Sequence, residues 1–130
     1  MNLTLLAQPL AICRLDAASP VPAWANTACG FLSVTRTADE RSIVCAEAVV
    51  PGGIRHEPGW LAFRVEGPLD FGLTGVLASL LEPLARAKVS IFALSTFDTD
   101  YILVKAAQAD TAARALEAAG HTVAPAPRTD

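Results

Sequence analysis

Apolar positions along this chain repeat with two different periods, and the change from one to the other marks its elements. Residues 60–66 alternate, with Leu61, Phe63 and Val65 set against Trp60, Ala62, Arg64 and Glu66, the period of a strand with one buried face. Gly67-Pro68 ends that run. Over residues 73–87 the period lengthens. Val76, Leu77, Leu80, Leu81 and Leu84 recur three or four apart, which puts them on one stripe of an amphipathic helix that packs on a sheet. Pro83 inside that helix removes a backbone donor, which allows a kink or a break near residues 79–83. Residues 90–97 and 101–106 are rich in β-branched, aromatic and aliphatic side chains, and Asp98-Thr99-Asp100 between them suits a turn, so the pair predicts a β-hairpin. Asp110 or Thr111 is placed to cap a second helix that ends at Ala119 before Gly120, and residues 121–124 read as a short strand. The resulting order, β-α-β-β-α-β, is the ferredoxin-like arrangement of two helices on one face of a four-stranded antiparallel sheet.

The first half has strand-like runs at residues 2–7, 10–15, 31–37 and 42–50, with only residues 21–28 able to form a helical turn or two. Its length and run of strands match the second half, so it reads as a degenerate copy of the same module. The breakers Pro51-Gly52-Gly53 and Glu57-Pro58-Gly59 set a boundary near residue 59. The expected organisation is therefore α+β: a degenerate module over residues 1–59, a complete one over 60–124, and a Pro-rich tail at 125–130 that frays.

Composition narrows the function. At 130 residues with 52% hydrophobic and 18% charged, the chain has the apolar surface for a core and is too short for a large multidomain enzyme. Net charge is -3 and the ten Lys and Arg are scattered singly, so no basic stripe exists to neutralise a phosphate backbone, and nucleic acid is excluded as a partner. No apolar run reaches the ~20 residues of a membrane helix, and the N-terminal apolar run lacks the basic flank of a secretion signal. Cys13, Cys29 and Cys45 form no CxxC and lie near no histidine, so they read as bystander thiols of a reducing, cytoplasmic compartment. His56 and His121 lack metal-chelating spacing, and no nucleophile elbow is present. The expectation is a protein without catalytic residues, metal or cofactor.

Two stretches carry candidate binding chemistry. Gly67-Pro-Leu-Asp-Phe-Gly-Leu-Thr-Gly75 turns directly into the first helix, whose opening N–H groups lack internal partners and can receive a carboxylate or phosphate. It has neither a P-loop nor a dinucleotide fingerprint, and a plain strand-to-helix connection explains it as well. Ser95-Thr-Phe-Asp-Thr-Asp100 sets hydroxyls, carboxylates and an aromatic at the end of a strand, as an amino-acid pocket requires, although a hairpin turn alone accounts for residues 98–100.

Glu66-Gly-Pro-Leu-Asp-Phe-Gly-Leu-Thr-Gly75, Leu81-Glu-Pro-Leu-Ala85 and Ser90-Ile-Phe-Ala-Leu-Ser-Thr-Phe-Asp-Thr-Asp-Tyr-Ile-Leu-Val-Lys105 together resemble the ACT-domain proteins related to the cytosolic arginine sensors, the CASTOR-like family. The likeness covers residues 60–123 well and the opening strand with residues 31–50 more loosely. It implies tandem ACT modules in a non-catalytic regulatory protein that holds a free amino acid or similar metabolite at a module or subunit interface. Carried over by position, it selects Asp70, Phe71, Leu73, Thr74 and Gly75, and across the sheet Ser95, Thr96, Phe97, Thr99 and Asp100. The sensors resemble four modules in one chain where this one has room for two, so a homodimer is expected, with a regulated protein partner besides. Asp70 and Thr99 depart from the arginine-contacting pattern, so arginine specificity does not carry over. Asp70 suits either a ligand ammonium or a helix cap. The alternative function is a dimerisation or docking module with no small-molecule ligand.

Overall fold

Strand β1 (Asn2–Leu5) does not pair with its neighbours in sequence; its partners lie at the far end of the chain. In the computed structural model, which describes residues 1–26, 30–70, 72 and 74–126, the elements that follow are β2 (Leu10–Leu15), β3 (Ser33–Arg36), β4 (Arg41–Ala46), β5 (His56–Val65), α1 (Val76–Arg86), β6 (Ile91–Ser95), β7 (Asp100–Lys105), α2 (Ala109–Ala118) and β8 (Thr122–Pro125). Short 3-10 turns occupy Glu47–Val49 and Ala106–Gln108. The chain divides into two units, Gln8–Trp60 and Met1–Ala7 with Leu61–Asp130.

In the second of these units, β5-α1-β6-β7-α2-β8 is the ferredoxin-like order that the sequence predicts. Its sheet differs in one respect. β1 lies between β5 and β8, antiparallel to the first (Leu3↔Val65, Leu5↔Phe63) and parallel to the second (Leu3↔Val123). The sheet order is therefore β8-β1-β5-β7-β6, five strands instead of four. Sequence reading assigned residues 2–7 to the first module; here β1 contributes Leu3 and Leu5 to the core of the other unit. That core joins Phe63, Val65, Ile102 and Val104 of the strands to Leu80 and Leu84 of α1 and Ala112 and Leu116 of α2, each fully buried. The helical stripe read from the sequence is the face that packs. α1 runs unbroken through Pro83, with Leu80 and Leu84 buried on either side of it. No side chain caps α2: Gln108 stands at its N-cap, and Asp110 lies in its first turn.

The Gln8–Trp60 unit orders its strands β3-β4-β2-β5, with antiparallel registers such as Cys13↔Ile43 and Val34↔Ile43. Among the described residues it holds no α-helix; residues 22–26 make only consecutive turns, Ala25 N–H to Pro22 and Asn26 N–H to Ala23. β5 begins at His56, inside the stretch read as a breaker. Leu10 faces Trp60 while Ile12 faces Glu57, so β5 spends one extra residue there. That bulge accommodates Pro58, which has no donor to give, and Gly59 at φ 79. Cys13 and Cys45 are free and buried. Burial, then the neighbouring Cys45, push the Cys13 thiol up to about 12, and burial raises Cys45 as well. Both are thiols at neutral pH, unsuited to nucleophilic work. Cys29 lies outside the described residues.

Candidate functional site

The turn between β6 and β7 is built from its own side chains. Thr96 N–H donates to the Thr99 carbonyl at 2.8 Å, and Thr99 N–H donates to Thr96 Oγ1 at 3.3 Å. The Thr99 hydroxyl reaches across to β5, donating to the Val65 carbonyl at 2.5 Å, which leaves Thr99 only 8% exposed. Ser95 Oγ donates to Asp100 Oδ1 at 2.6 Å. Phe97 at the tip is 79% exposed.

The loop from β5 to α1 docks on that turn. Leu69 N–H donates to the Asp98 carbonyl at 2.7 Å. Gly67 is needed there, because a Cβ would meet the Asp98 carbonyl oxygen at 2.9 Å and the Thr99 Cβ at 3.2 Å. Asp70 Oδ1 accepts from Gly72 N–H at 2.8 Å, so its carboxylate orders the loop and does not cap the helix. Gly75 holds the N-cap position of α1 at φ 76, a left-handed conformation costly for a residue with a Cβ, and no side-chain cap or acidic residue serves the first turn.

Loop and turn enclose an open depression of about 200 Å³ lined by Leu69, Asp70, Val76, Ser95, Thr96, Phe97, Asp98, Thr99 and Asp100. Six residues selected from the sequence meet there: Asp70, Ser95, Thr96, Phe97, Thr99 and Asp100. Thr74 and Gly75 are not in its lining, and Phe71 and Leu73 lie outside the described residues. The residues carried over by resemblance leave out Leu69, Val76 and Asp98, although Asp98 lies inside the polar run Ser95–Asp100 that the sequence offers as candidate binding chemistry. A second depression of about 360 Å³ abuts the same turn and adds Arg64, Glu66, Gly67, Pro68 and Tyr101. Neither Arg64 nor Glu66 is a candidate from the sequence. They share the phase of Trp60 and Ala62, both of which are buried, so the one-sided burial expected of residues 60–66 does not hold at the start of that run. The Arg64 and Glu66 side chains pair at 3.1 Å, and a Thr4 hydroxyl bond to Glu66, followed by Arg64, holds the Glu66 carboxyl below its ordinary range. Among the described residues no group of three or more His, Cys, Asp and Glu is placed to hold a metal ion, and no helix is long and apolar enough to cross a membrane.

An ACT-domain family model matches residues 55–118, and a model of an N-terminal domain matches residues 9–53. The human protein CASTOR3P is 31% identical over 98 residues, 62% of this chain and 58% of that protein. The Bos taurus cytosolic arginine sensor for mTORC1 subunit 1 is 32% identical over 88 residues, 59% of this chain and 27% of that protein. This chain thus spans 58% and 27% of those two curated relatives. Among solved structures, protein Atu0741 from Agobacterium tumefaciens aligns with a TM-score of 0.91 at 39% identity, covering 99% of this chain and 96% of that one. The ligand-free regulatory subunit of aspartate kinase from Thermus thermophilus aligns with a TM-score of 0.64 at 12% identity, covering 91% and 96%, a likeness of fold alone.

Proposed function

Because this chain belongs to the ACT-domain family and is related to the CASTOR-type proteins, we propose that it is a non-catalytic regulatory module that binds a free amino acid or a similar small metabolite. The observation that carries this reading is the depression of about 200 Å³, whose lining joins Val76 at the uncapped start of α1 to Asp70, Asp98 and Asp100. Helix-start N–H groups suit a carboxylate, and the aspartates suit an ammonium group. The volume falls below the ~300 Å³ at which pockets for drug-sized ligands begin, which fits a ligand the size of an amino acid. Leu69, Val76 and Phe97 supply the apolar wall. A cytoplasmic location follows the cytosolic relative.

A thermal-shift screen against the twenty amino acids tests this. A ligand selective for the folded state, supplied at 100 times its dissociation constant, adds about 2.7 kcal/mol and raises Tm by several degrees. Asp100→Ala should abolish the response and alter the unliganded protein little, since a partly exposed turn carboxylate contributes at most about 1 kcal/mol. If no amino acid shifts the wild type, the docking-module reading takes its place. If one does and Asp100→Ala binds it equally well, the site lies elsewhere on the fold.

A further inference from the structure

Every charged side chain lining the depression of about 200 Å³ is an aspartate, and among the described residues the one cation lining either depression, Arg64, belongs to that of about 360 Å³. The two share Thr96, Asp98 and Thr99 of the β6-β7 turn. Arg64, Glu66 and Tyr101 stand in the phase opposite to Phe63, Val65 and Ile102, which pack with Leu80 and Leu84 of α1. The larger depression therefore sits at the face of the sheet away from that helix.

Arg64 is braced there from two strands. Thr4 of β1 lies level with Arg64 of β5, and Glu66 follows two residues on, so the three share one face. The Thr4 hydroxyl donates to Glu66 Oε1 at 2.5 Å, and an Arg64 amino group donates to the same oxygen at 3.1 Å. Those bonds keep the Glu66 carboxyl below its ordinary range, so it stays ionised at neutral pH and retains the guanidinium. A pair this exposed, 41% and 43%, adds little to stability; what the bracing supplies is a guanidinium held in one place. Only one amino group of Arg64 is engaged among the described residues, so its remaining donors are open to a ligand. Asp98 is the counterpart. Its carbonyl anchors Leu69, while its carboxylate has no hydrogen bond or ion pair among the described residues.

We propose that this larger depression is a separate site for a small zwitterion, an amino carboxylate whose carboxylate lies on Arg64 and whose ammonium lies on Asp98, with Pro68 and Tyr101 as walls. A guanidinium takes a carboxylate through two N–H groups at once. Charge balance selects the zwitterion. The charged lining is Arg64, Glu66 and Asp98, so a phosphate would meet two carboxylates and one cation, whereas a zwitterion sets each of its charges against an opposite one. The volume of about 360 Å³ falls within the roughly 300–1,000 Å³ of small-molecule sites. All of its lining residues belong to the unit that holds Leu61–Asp130, and the site does not require the smaller depression to be occupied. Because Asp98 lines both, an ammonium bound to it from one side weakens the binding of an ammonium from the other, and that coupling is reciprocal.

Two-dimensional amide NMR on the full chain, titrated with glycine, β-alanine and γ-aminobutyrate, tests this site. Acetate and inorganic phosphate serve as anions that lack the ammonium group. At least one of the three amino carboxylates should move the signals of Arg64 Nε–H, Glu66, Gly67 and Tyr101 and leave those of Asp70, Gly72 and Val76 in place. Arg64→Gln and Asp98→Asn should each weaken that binding about tenfold or more with unchanged circular dichroism, since each removes one charge-assisted contact. No movement at Arg64 and Tyr101 up to tens of millimolar overturns the proposal, as does an affinity indifferent to Arg64→Gln. Acetate or phosphate binding as tightly as the amino carboxylates overturns it too. Signals that move at Asp70 and Val76 alone would overturn this site and support the smaller depression, so the two readings fail separately.

Discussion

Thr99→Val isolates the bond that ties the β6-β7 turn to β5. Valine reproduces the shape of threonine but not its donor, so the substitution leaves the Val65 carbonyl without the Thr99 hydroxyl at a position where Val65 is fully buried and Thr99 is 8% exposed. A buried group deprived of its partner costs about 1–3 kcal/mol. Unfolding entropy of roughly 2.1 cal/mol/K per residue gives about 0.27 kcal/mol/K for this chain, so a loss of about 2 kcal/mol lowers Tm by about 7 °C. Thr99→Ser keeps the donor and removes one methyl group, worth about 0.8 kcal/mol or about 3 °C. Thermal melts followed by circular dichroism, with urea titration at neutral pH as a second measure, should therefore rank wild type above serine and serine above valine. A valine variant within a degree of the wild type, or a serine variant as unstable as valine, would refute the assignment of Thr99 as the clamp of this turn.

Two other outcomes follow from the same structure. Gly75→Ala meets no atom within 4 Å but must hold φ 76, so its cost is conformational, about 1–2 kcal/mol, and a melting temperature equal to that of the wild type would show that the α1 N-cap is not left-handed in solution. Cys13, pushed up to about 12 by burial, keeps its proton in the folded chain after the unfolded chain has released it near 9. Its contribution to stability is thus complete below pH 9 and is lost as the pH rises from 9 to about 12. Urea midpoints across that range under reducing conditions should fall more steeply for the wild type than for Cys13→Ala, and parallel curves would contradict the burial of this thiol.

Local pattern was enough for the elements whose physics is local. The three-and-four spacing of Val76, Leu80 and Leu84 defines a stripe whichever sheet it meets, and the polar residues between two apolar runs mark a turn by backbone chemistry, although it closes at Phe97-Asp98 and Asp100, read as a turn residue, already belongs to β7. The polar run ending at Asp100 marked most of the depression for the same reason, because its residues are adjacent in sequence. Tertiary structure decided what depends on distant partners. β1 became an interior strand because Leu3 and Leu5 pair with Val65 and Phe63, some sixty residues away, a choice invisible to a four-residue strand read by itself. β5 continued through Pro58 and Gly59 because a bulge against β2 absorbs the missing donor and the positive φ, and Glu47 accepts the Gly59 N–H at 2.6 Å. Thr99, selected as a ligand contact, turned its hydroxyl to Val65, and Asp70, suited by sequence to cap a helix, bonded Gly72 instead. Polar side chains offer the same donors and acceptors in any fold, and which of them remain for a ligand is settled only when the backbone groups around them have taken theirs.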